Sequence, residues 1–456
     1  MQVFNRYVST RGLTVFSFEL VLIAGSVLYA MHLHGGVETP GAIWKVAFIT
    51  GLCQLSFYYH DLYDLTVVNS RRELLVRLLQ ASGAASLLLA ALYVMFPALI
   101  IGHGVLASSV FFFIVAIVAW RLLFIEVGRA RHLQEHVLII GTGPGAQTVA
   151  RQVLAEHDFA YRIVGFIDED PAMVGRSIVD PRVIGTPTDI VRLVREQRIT
   201  RIIVGLSDRR GKLPIEELLE AKLQGVRIED PETTYERLTG KIMLEELKPS
   251  WLIFNDGFRA RRLTRAVKRG VDVVLATIGM VLAAPLILVT GIAVRLDSPG
   301  PILYAQERVG EHGRRFVLYK FRSMQTDAER GTPIWARDKD DRVTRVGRLI
   351  RLTRLDEVPQ LWNVLRGDMS FVGPRPERPF FVEQLAEAIP YYRQRHAVKP
   401  GVTGWAQVKY RYGASIEDAR EKLRYDLYYI KHMSIIFDLT IVFDTVKVIL
   451  SRKGAQ

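Results

Sequence analysis

Hydrophobic residues concentrate in four long runs within the first 125 positions of the chain. The runs cover residues 13–33, 42–59, 78–101 and 105–120. Each approaches the length of about 20 residues that a helix needs to cross about 30 Å of hydrocarbon. The last run contains no charged residue, and four such runs in succession favour membrane helices over buried helices of a soluble domain. The pattern predicts a bundle of four transmembrane helices over residues 1–130.

Arginine residues mark alternate ends of these runs. They precede the first run, separate the second run from the third and follow the fourth, whereas segments 32–41 and 102–104 contain neither Lys nor Arg. Because positively charged loops stay in the cytoplasm, we expect the N-terminus and everything after residue 121 on the cytoplasmic side. No small-residue cleavage site follows the first run and more spans come after it, so we do not expect a cleaved signal peptide.

The hydrophobic pattern changes after residue 131 to short apolar runs that alternate with helical segments. A buried strand precedes the glycine-rich turn 141–146, and the next strand ends at Asp168. In a Rossmann-like domain, glycines at this turn let the backbone approach a pyrophosphate at a helix N-terminus. Residues 131–250 therefore predict such an α/β domain, with Gly141, Gly143 and Asp168 as a candidate ligand turn. The same glycines also suit a tight turn without a ligand, so nucleotide binding stays open.

A fifth apolar run covers residues 271–294. Basic residues flank both of its ends, which the positive-inside rule disfavours for a full span. Pro285 interrupts the run, and proline bends a helix because it lacks the backbone N–H and clashes with the preceding turn. We expect a helix that enters the inner leaflet, turns at Pro285 and returns. An ordinary kinked transmembrane helix is the alternative.

Composition and charge exclude several classes of protein. Of 456 residues, 49% are hydrophobic, which excludes an intrinsically disordered chain. The single cysteine, Cys53, excludes a disulfide scaffold and a cysteine-ligated metal cluster. The net charge is +13, and the whole excess lies in residues 251–456. Because this excess accompanies an apolar run, we expect anionic lipid and phosphate groups as its partners, and no nucleic acid.

The candidate catalytic residues lie in two segments that are rich in Gly, Pro and polar residues, 355–376 and 399–407. Asp356 and Glu357 are adjacent and several arginines surround them. Arginine forks bind phosphate well, and a carboxylate can attack phosphorus while a second one handles protons or orients it. A carboxylate also suits Mg2+, which would offset the charge of a diphosphate. An isolated Asp-Glu pair is more often a solvated surface pair, so the pair alone does not determine the reaction.

Residues 262–456 resemble the bacterial sugar transferase family, the monotopic polyprenyl-phosphate phosphoglycosyl transferases. The matching stretches are Lys268-Arg269-Gly-Val-Asp272, Gln306-Glu-Arg308-Val-Gly310, Tyr319-Lys320-Phe-Arg322-Ser-Met324 and the segments 355–376 and 399–407. The N-terminal part resembles that of the large members, which add four spans and a Rossmann-like domain. The resemblance implies a mainly α-helical, monotopic catalytic domain over residues 251–456 with a re-entrant helix. The family often breaks that helix at Ser-Pro, where this chain has Ala284-Pro285.

The resemblance also implies an activity at the cytoplasmic face of the bacterial inner membrane. A sugar-1-phosphate passes from a UDP-sugar to undecaprenyl phosphate, and UMP is released, as the first membrane step of exopolysaccharide or O-antigen synthesis. Asp356 would be the nucleophile and a ligand of Mg2+, and Glu357 its partner. A homodimer is expected. Five cations would contact phosphate or nucleotide: Arg308, Lys320, Arg322, Arg351 and Arg375.

Two other classes of function remain as alternatives. A membrane-bound NAD-dependent sugar-nucleotide dehydratase or epimerase needs a Tyr-x-x-x-Lys pair, and none of the 17 tyrosines has Lys four residues later. A non-enzymatic scaffold for polysaccharide assembly would leave the segments around Asp356 and Arg375 unexplained. The sequence contains no His-Glu-x-x-His motif, which would indicate a zinc site. The sequence does not identify the sugar that is transferred.

Overall fold

Most of the chain is described by a computed structural model. The described residues are 2–3, 6–7, 10–35, 41–63, 71–102, 104–129, 134–155, 161–206, 213–245, 247, 262–326, 342–410, 413 and 415–450. Contacts within the chain divide it into two units, of which the first contains Tyr7–Leu238 and the second contains Gln2–Arg6 and Thr239–Gln456. Two strands of two residues each, β1 (Gln2–Val3) and β2 (Arg6–Tyr7), lie at the start. The division into three domains stays a prediction.

Four apolar helices open the first unit, as the hydrophobic pattern predicted. They are α1 (Thr10–Leu33), α2 (Ala42–Tyr59), α3 (Arg71–Met95) and α4 (Val105–Arg129). Three of their segments are long and apolar enough to cross a membrane: Gly12–Leu33, Arg72–Met95 and Val105–Phe124. Within the described helices, α2 is not one of these candidate spans. The apolar helices indicate that the chain associates with a membrane.

A parallel five-stranded sheet forms the rest of the first unit. Its strands are β3 (Glu135–Ile140), β4 (Tyr161–Ile167), β5 (Val183–Gly185), β6 (Arg201–Val204) and β7 (Arg227–Glu229). Their order across the sheet is β5-β4-β3-β6-β7. The helices of this part are α5 (Pro144–Ala155), α6 (Ile190–Glu196), α7 (Ile215–Leu223) and α8 (Pro231–Thr239). The parallel sheet with intervening helices confirms the predicted Rossmann-like architecture.

One long helix, α9 (Arg262–Asp297), dominates the start of the second unit. Its 36 residues correspond to about 54 Å at 1.5 Å per residue, and it is also long and apolar enough to cross a membrane. The helix continues through Pro285, so any bend there lies within helical backbone. The path into the inner leaflet and back stays a prediction.

Short elements build the remainder of the second unit, which is mostly helical as predicted. Strands β8 (Leu303–Val309) and β9 (Arg315–Phe321) form an antiparallel hairpin, and β10 (Ser370–Val372) pairs in parallel with β11 (Gly401–Thr403). The helices are α10 (Arg345–Leu352), α11 (Gln360–Arg366), α12 (Pro379–Ala388), α13 (Trp405–Lys409), α14 (Ile416–Lys431) and α15 (Ile435–Leu450). Tight helical turns are Pro97–Leu99, Pro171–Met173 and Pro187–Asp189 in the first unit, and Glu311–Gly313, Leu355–Glu357 and Tyr392–Ala397 in the second.

The segment that follows α8 packs within the second unit. Ile242 and Met243 are almost completely buried, and Ile242 packs in the same core cluster as Trp405. The indole Nε1 of Trp405 donates to the carbonyl of Gly240 at 2.9 Å. The segment after α8 thus completes the core of the second unit.

Candidate active site

Asp356 and Glu357 lie in a tight turn between two short helices. Helix α10 begins where Asp297, at the end of α9, accepts the N–H of Val346 at 3.0 Å. The helix ends at Leu352, and Arg354, two residues later, adopts the left-handed conformation with φ 58°, unusual for a residue other than glycine. The turn Leu355–Glu357 follows at once. The end of α9 therefore sets the position of the helix that leads into the carboxylate pair.

The carboxylate of Asp356 is buried, and one of its oxygens meets no hydrogen-bond donor within the described residues. The residue is 8% exposed, and in the described structure its Oδ1 has no hydrogen-bond partner. Burial raises the pKa of Asp356; the cations of Lys320 and Arg351 oppose this rise and the charge of Glu357 adds to it. A buried carboxylate oxygen with an open acceptor position can attack a phosphorus atom or bind a metal ion.

Glu357 has the opposite environment. Its Oε1 accepts hydrogen bonds from Lys320 Nζ at 2.9 Å and from Arg375 Nη2 at 2.8 Å. Burial alone would raise its pKa, but the charges of Arg375 and Lys320 hold the pKa of Glu357 well below its usual range. Burial also lowers the pKa of Lys320. Glu357 is thus an ionised anchor for two cations that come from distant parts of the chain.

Asn363 places Lys320 beside Glu357. The side chain of Asn363 is completely buried. Its Nδ2 donates to the carbonyl of Val317 at 2.7 Å, and its Oδ1 accepts the N–H of Tyr319 at 3.1 Å. These two bonds join α11 to β9, the strand that carries Lys320. Asn363 lies within segment 355–376, but no pattern in the sequence indicates this role for it.

The first turns of α9 hold the strand that leads to Arg375. Oδ1 of Asp272 accepts the hydroxyl of Ser370 and the N–H of Phe371, both at 3.0 Å. Lys268 Nζ donates to the carbonyl of Val372 at 3.0 Å. Both residues belong to the first matching stretch, but neither was expected to support the site.

The remaining predicted cations have different surroundings. Arg351 donates from Nε to the hydroxyl of Ser323 at 2.9 Å, and its charge acts on Asp356. The side chain of Arg308 donates to the carbonyl of Pro376 at 3.1 Å, so it contacts the backbone next to Arg375. Phosphate or nucleotide binding by these residues stays a prediction.

Arg322 is occupied by backbone groups. It is 5% exposed, and its guanidinium donates to the carbonyls of Pro299 and Ser298, just beyond the end of α9. These hydrogen bonds connect Arg322 to the segment that follows α9, and contact of Arg322 with phosphate stays a prediction.

One carboxylate of the site suits Mg2+. Among the described residues, no group of three or more His, Cys, Asp or Glu side chains can hold a metal ion. Mg2+ is often bound by one or two carboxylates together with substrate phosphates and water. The unpartnered Oδ1 of Asp356 fits that form of site.

The candidate ligand turn of the first unit is held by its own residues. Gly141 has φ 90°, and a Cβ there would lie 2.8 Å from the carbonyl oxygen of Gly205, so only glycine fits. Asp168 accepts the hydroxyl of Thr142 at 2.6 Å and the N–H of Asp170 at 3.0 Å. Both oxygens of Asp168 therefore organise the turn, and ligand binding there stays a prediction.

Two family models match the chain. The bacterial sugar transferase model covers residues 263–452 and a CoA-binding domain model covers residues 59–220. Solved structures of a Rex-family repressor cover 40% of the chain and 86% or 85% of their own, with 18% or 16% identity and a TM-score of 0.21. A score this low supports no argument about fold or ligand.

Several curated proteins are similar to large parts of this chain. A UDP-N-acetylgalactosamine-undecaprenyl-phosphate N-acetylgalactosaminephosphotransferase of Aeromonas hydrophila is 45% identical over 48% of this chain and 52% of its own length. A UDP-glucose:undecaprenyl-phosphate glucose-1-phosphate transferase of Caulobacter vibrioides is 43% identical over 41% of this chain and 71% of its own. An undecaprenyl-phosphate glucose phosphotransferase of Komagataeibacter xylinus is 34% identical over 70% of this chain and 59% of its own. The matched region thus spans about half of the Aeromonas hydrophila protein. The chain belongs to the bacterial sugar transferase family.

Proposed function

We propose that this chain transfers a sugar-1-phosphate from a UDP-sugar to undecaprenyl phosphate, with release of UMP. The observation that carries the proposal is the buried Oδ1 of Asp356, which has no hydrogen-bond partner in the described part of the chain, next to a Glu357 that is held ionised by Lys320 and Arg375. Relatives with undecaprenyl-phosphate sugar phosphotransferase names support the same class of reaction. The product is an undecaprenyl-diphosphate-sugar, the first membrane intermediate of exopolysaccharide or O-antigen synthesis.

The transfer takes place in two displacements at one phosphorus atom. The carboxylate of Asp356 attacks the phosphate that bears the sugar, the bond from this phosphorus to the bridging oxygen breaks, and UMP leaves with the electron pair. An oxygen of undecaprenyl phosphate then attacks the phosphosugar-aspartate, and the Asp356 carboxylate leaves. Because both nucleophiles are already anionic, neither displacement requires a general base.

The cations around the pair lower the electrostatic barrier to these displacements. Two anions approach one another in each displacement, so positive charge placed at the site stabilises the transition state. Glu357 contributes by holding Lys320 and Arg375 in place, and it remains ionised. When bound, Mg2+ would be held by Asp356 and would offset the charge of the diphosphate.

The same proposal places the reaction at the cytoplasmic face of the bacterial inner membrane. Arginine-bearing segments alternate with the apolar helices of the first unit, which supports a cytoplasmic N-terminus. A re-entrant α9 keeps the second unit on that side, where UDP-sugars are made. We also propose that the protein forms a homodimer.

The test measures UMP released by the purified full-length protein in nanodiscs with Mg2+, undecaprenyl phosphate and a panel of UDP-sugars. We expect multiple-turnover release from at least one donor, and none from Asp356→Asn. Asp368→Asn is the matched control, because Asp368 lies in the same segment but pairs with the exposed Arg366. Release from no donor, or undiminished release by Asp356→Asn, would overturn the proposal.

A further inference from the structure

The five residues 373–377, here called the Arg375 loop, are fixed through their backbone. The carbonyls of the four residues from Pro374 to Glu377 each accept a hydrogen bond from elsewhere in the second unit. In chain order, the donors are the N–H of Gly401 at 2.9 Å, Arg395 Nη2 at 3.0 Å, Arg308 Nη1 at 3.1 Å and the N–H of Val309 at 3.0 Å. Because these hydrogen bonds hold the backbone of the loop in one conformation, they also fix the direction in which its side chains leave the backbone.

Of these four donors, Arg395 is the one that binds the carbonyl of Arg375 itself. It is 5% exposed, and its partner Asp426 on α14 is 2% exposed. Oδ2 of Asp426 accepts from Arg395 Nε at 3.1 Å and from Nη2 at 2.8 Å. Nη1 donates to the hydroxyl of Tyr392 at 2.8 Å. The guanidinium therefore has fixed partners on two sides and points its Nη2 at the carbonyl of Arg375.

Such a buried pair contributes more to geometry than to stability. Removing two charges from water costs free energy that their attraction often fails to recover, and apolar replacements of similar volume are frequently as stable. Prolines on both sides of Arg375 already restrict the backbone, because proline fixes its own φ and limits the residue before it. With its carbonyl also held, the Arg375 side chain leaves the backbone in one direction, towards Glu357.

We propose that Arg395, held by Asp426, is a positioning residue that fixes the carbonyl of Arg375 and so aims the Arg375 guanidinium at Glu357 and the donor phosphates. This inference rests on the proposed function for the phosphates alone. Arg395 touches no reacting atom in the proposed transfer, and it acts through Arg375.

The first test is a kinetic cycle on the full-length protein in nanodiscs with the UDP-sugar that gives most UMP. The double variant Arg395→Met/Asp426→Leu removes both charges and leaves neither unpaired. We expect the KM for the donor to rise about tenfold and kcat to fall as well, because Arg375 contacts the donor phosphates in the ground state and stabilises charge in the transition state. Added to Arg375→Met, the double variant should raise KM no further, since both changes remove one interaction. Additive effects, or an unchanged KM, would overturn the proposal.

A matched control is Lys241→Met, which breaks another ion pair to the same helix, that of Lys241 with Glu421. It should leave the KM for the donor unchanged, and an equal rise in KM would mean that any loss of packing on α14 has the same effect. If the double variant fails to fold, Arg395→Lys replaces it. A lysine keeps a charge opposite Asp426 but lacks the fork that also reaches the Arg375 carbonyl.

The second test needs no activity. Amide hydrogen exchange of a peptide covering residues 373–382 should be about tenfold faster in Arg395→Met/Asp426→Leu than in the wild type, with exchange in segment 239–245 unchanged. Equal exchange of residues 373–382 in both proteins would overturn the positioning role. If the wild type releases UMP from no donor, the proposed transfer fails, whereas this measurement still decides whether Arg395 holds the loop.

Discussion

Asp356 and Glu357 are neighbours in the chain, yet their carboxylates have opposite surroundings. Oε1 of Glu357 accepts hydrogen bonds from Lys320 and Arg375, whereas Oδ1 of Asp356 has no hydrogen-bond partner among the described residues. The pKa of Asp356 is raised and that of Glu357 is lowered. When two titratable groups differ in this way, they divide the chemistry between them. Among the described residues, Asp356 keeps an open acceptor position, and Glu357 holds the cations.

The activity should depend on the ionisation of Asp356. Burial raises its pKa, so kcat/KM for UMP release should fall as the pH drops through this raised value, while Glu357 stays ionised. Lys320→Met removes a cation that lowers the pKa of Asp356, so the same midpoint should move to higher pH. The measurement is a pH profile of kcat/KM for the wild type, Lys320→Met and the control Asp368→Asn. A midpoint that Lys320→Met leaves unchanged would contradict the assignment.

Arg322 and Arg351 should separate into a structural and a functional cation. Arg322→Met removes the charged donor to the carbonyls of Ser298 and Pro299, and a hydrogen bond to a charged group contributes about 1.5–3 kcal/mol, so the thermal midpoint should fall while the KM for the donor stays unchanged. Arg351→Met should raise that KM about tenfold, as expected for the loss of a contact worth roughly 1.4 kcal/mol. Thermal unfolding and donor titrations on both variants check this. A raised KM in Arg322→Met with an unchanged midpoint would show that Arg322 contacts the substrate.

Asn363 should matter for both stability and activity. Asn363→Ala leaves the N–H of Tyr319 and the carbonyl of Val317 without their side-chain partner, which should lower the free energy of unfolding by about 1–3 kcal/mol. The loss should also move Lys320 away from Glu357 and lower kcat. In a Lys320→Met background, Asn363→Ala should still lower the thermal midpoint but no longer lower kcat. A further fall in kcat in that background would mean that Asn363 acts through another residue.

The proposed topology can be read from single cysteines. Cys53 is buried, so a Cys53→Ala background allows labels at Glu196 in the first unit and Glu417 in the second, whose side chains are 52% and 73% exposed. If α9 is re-entrant and the predicted orientation holds, a membrane-impermeant maleimide should label Glu196→Cys and Glu417→Cys only after the cells are permeabilised. Labelling of Glu417→Cys alone in intact cells would show that α9 crosses the membrane.

The regular elements could be predicted from the sequence because their patterns are local. Runs of apolar residues near membrane length predicted α1 to α4, and the glycine-rich turn after a buried strand predicted the parallel sheet. The adjacent carboxylates could be chosen as the candidate site because Asp356 lies in a dense polar segment with arginines.

Long-range contacts could not be predicted in the same way. Lys320 and Glu357 are 37 positions apart, and Arg395 and Asp426 are 31 apart, so no periodicity indicates that they meet. The carbonyls that Arg322 contacts just beyond the end of α9 are likewise brought to it by tertiary packing, which the sequence does not reveal. The start of the second unit at Thr239 likewise depends on Ile242 packing near Trp405.

The most direct test of the account is the mass of the protein after incubation with the preferred UDP-sugar and Mg2+ without undecaprenyl phosphate. Intact mass spectrometry of the wild type and of Asp368→Asn should show a gain equal to one sugar-phosphate, with a matching burst of UMP, and undecaprenyl phosphate should remove it. Asp356→Asn should show neither gain nor burst. An adduct on Asp356→Asn, or UMP released by the wild type only when the acceptor is present and with no adduct, would contradict transfer through Asp356.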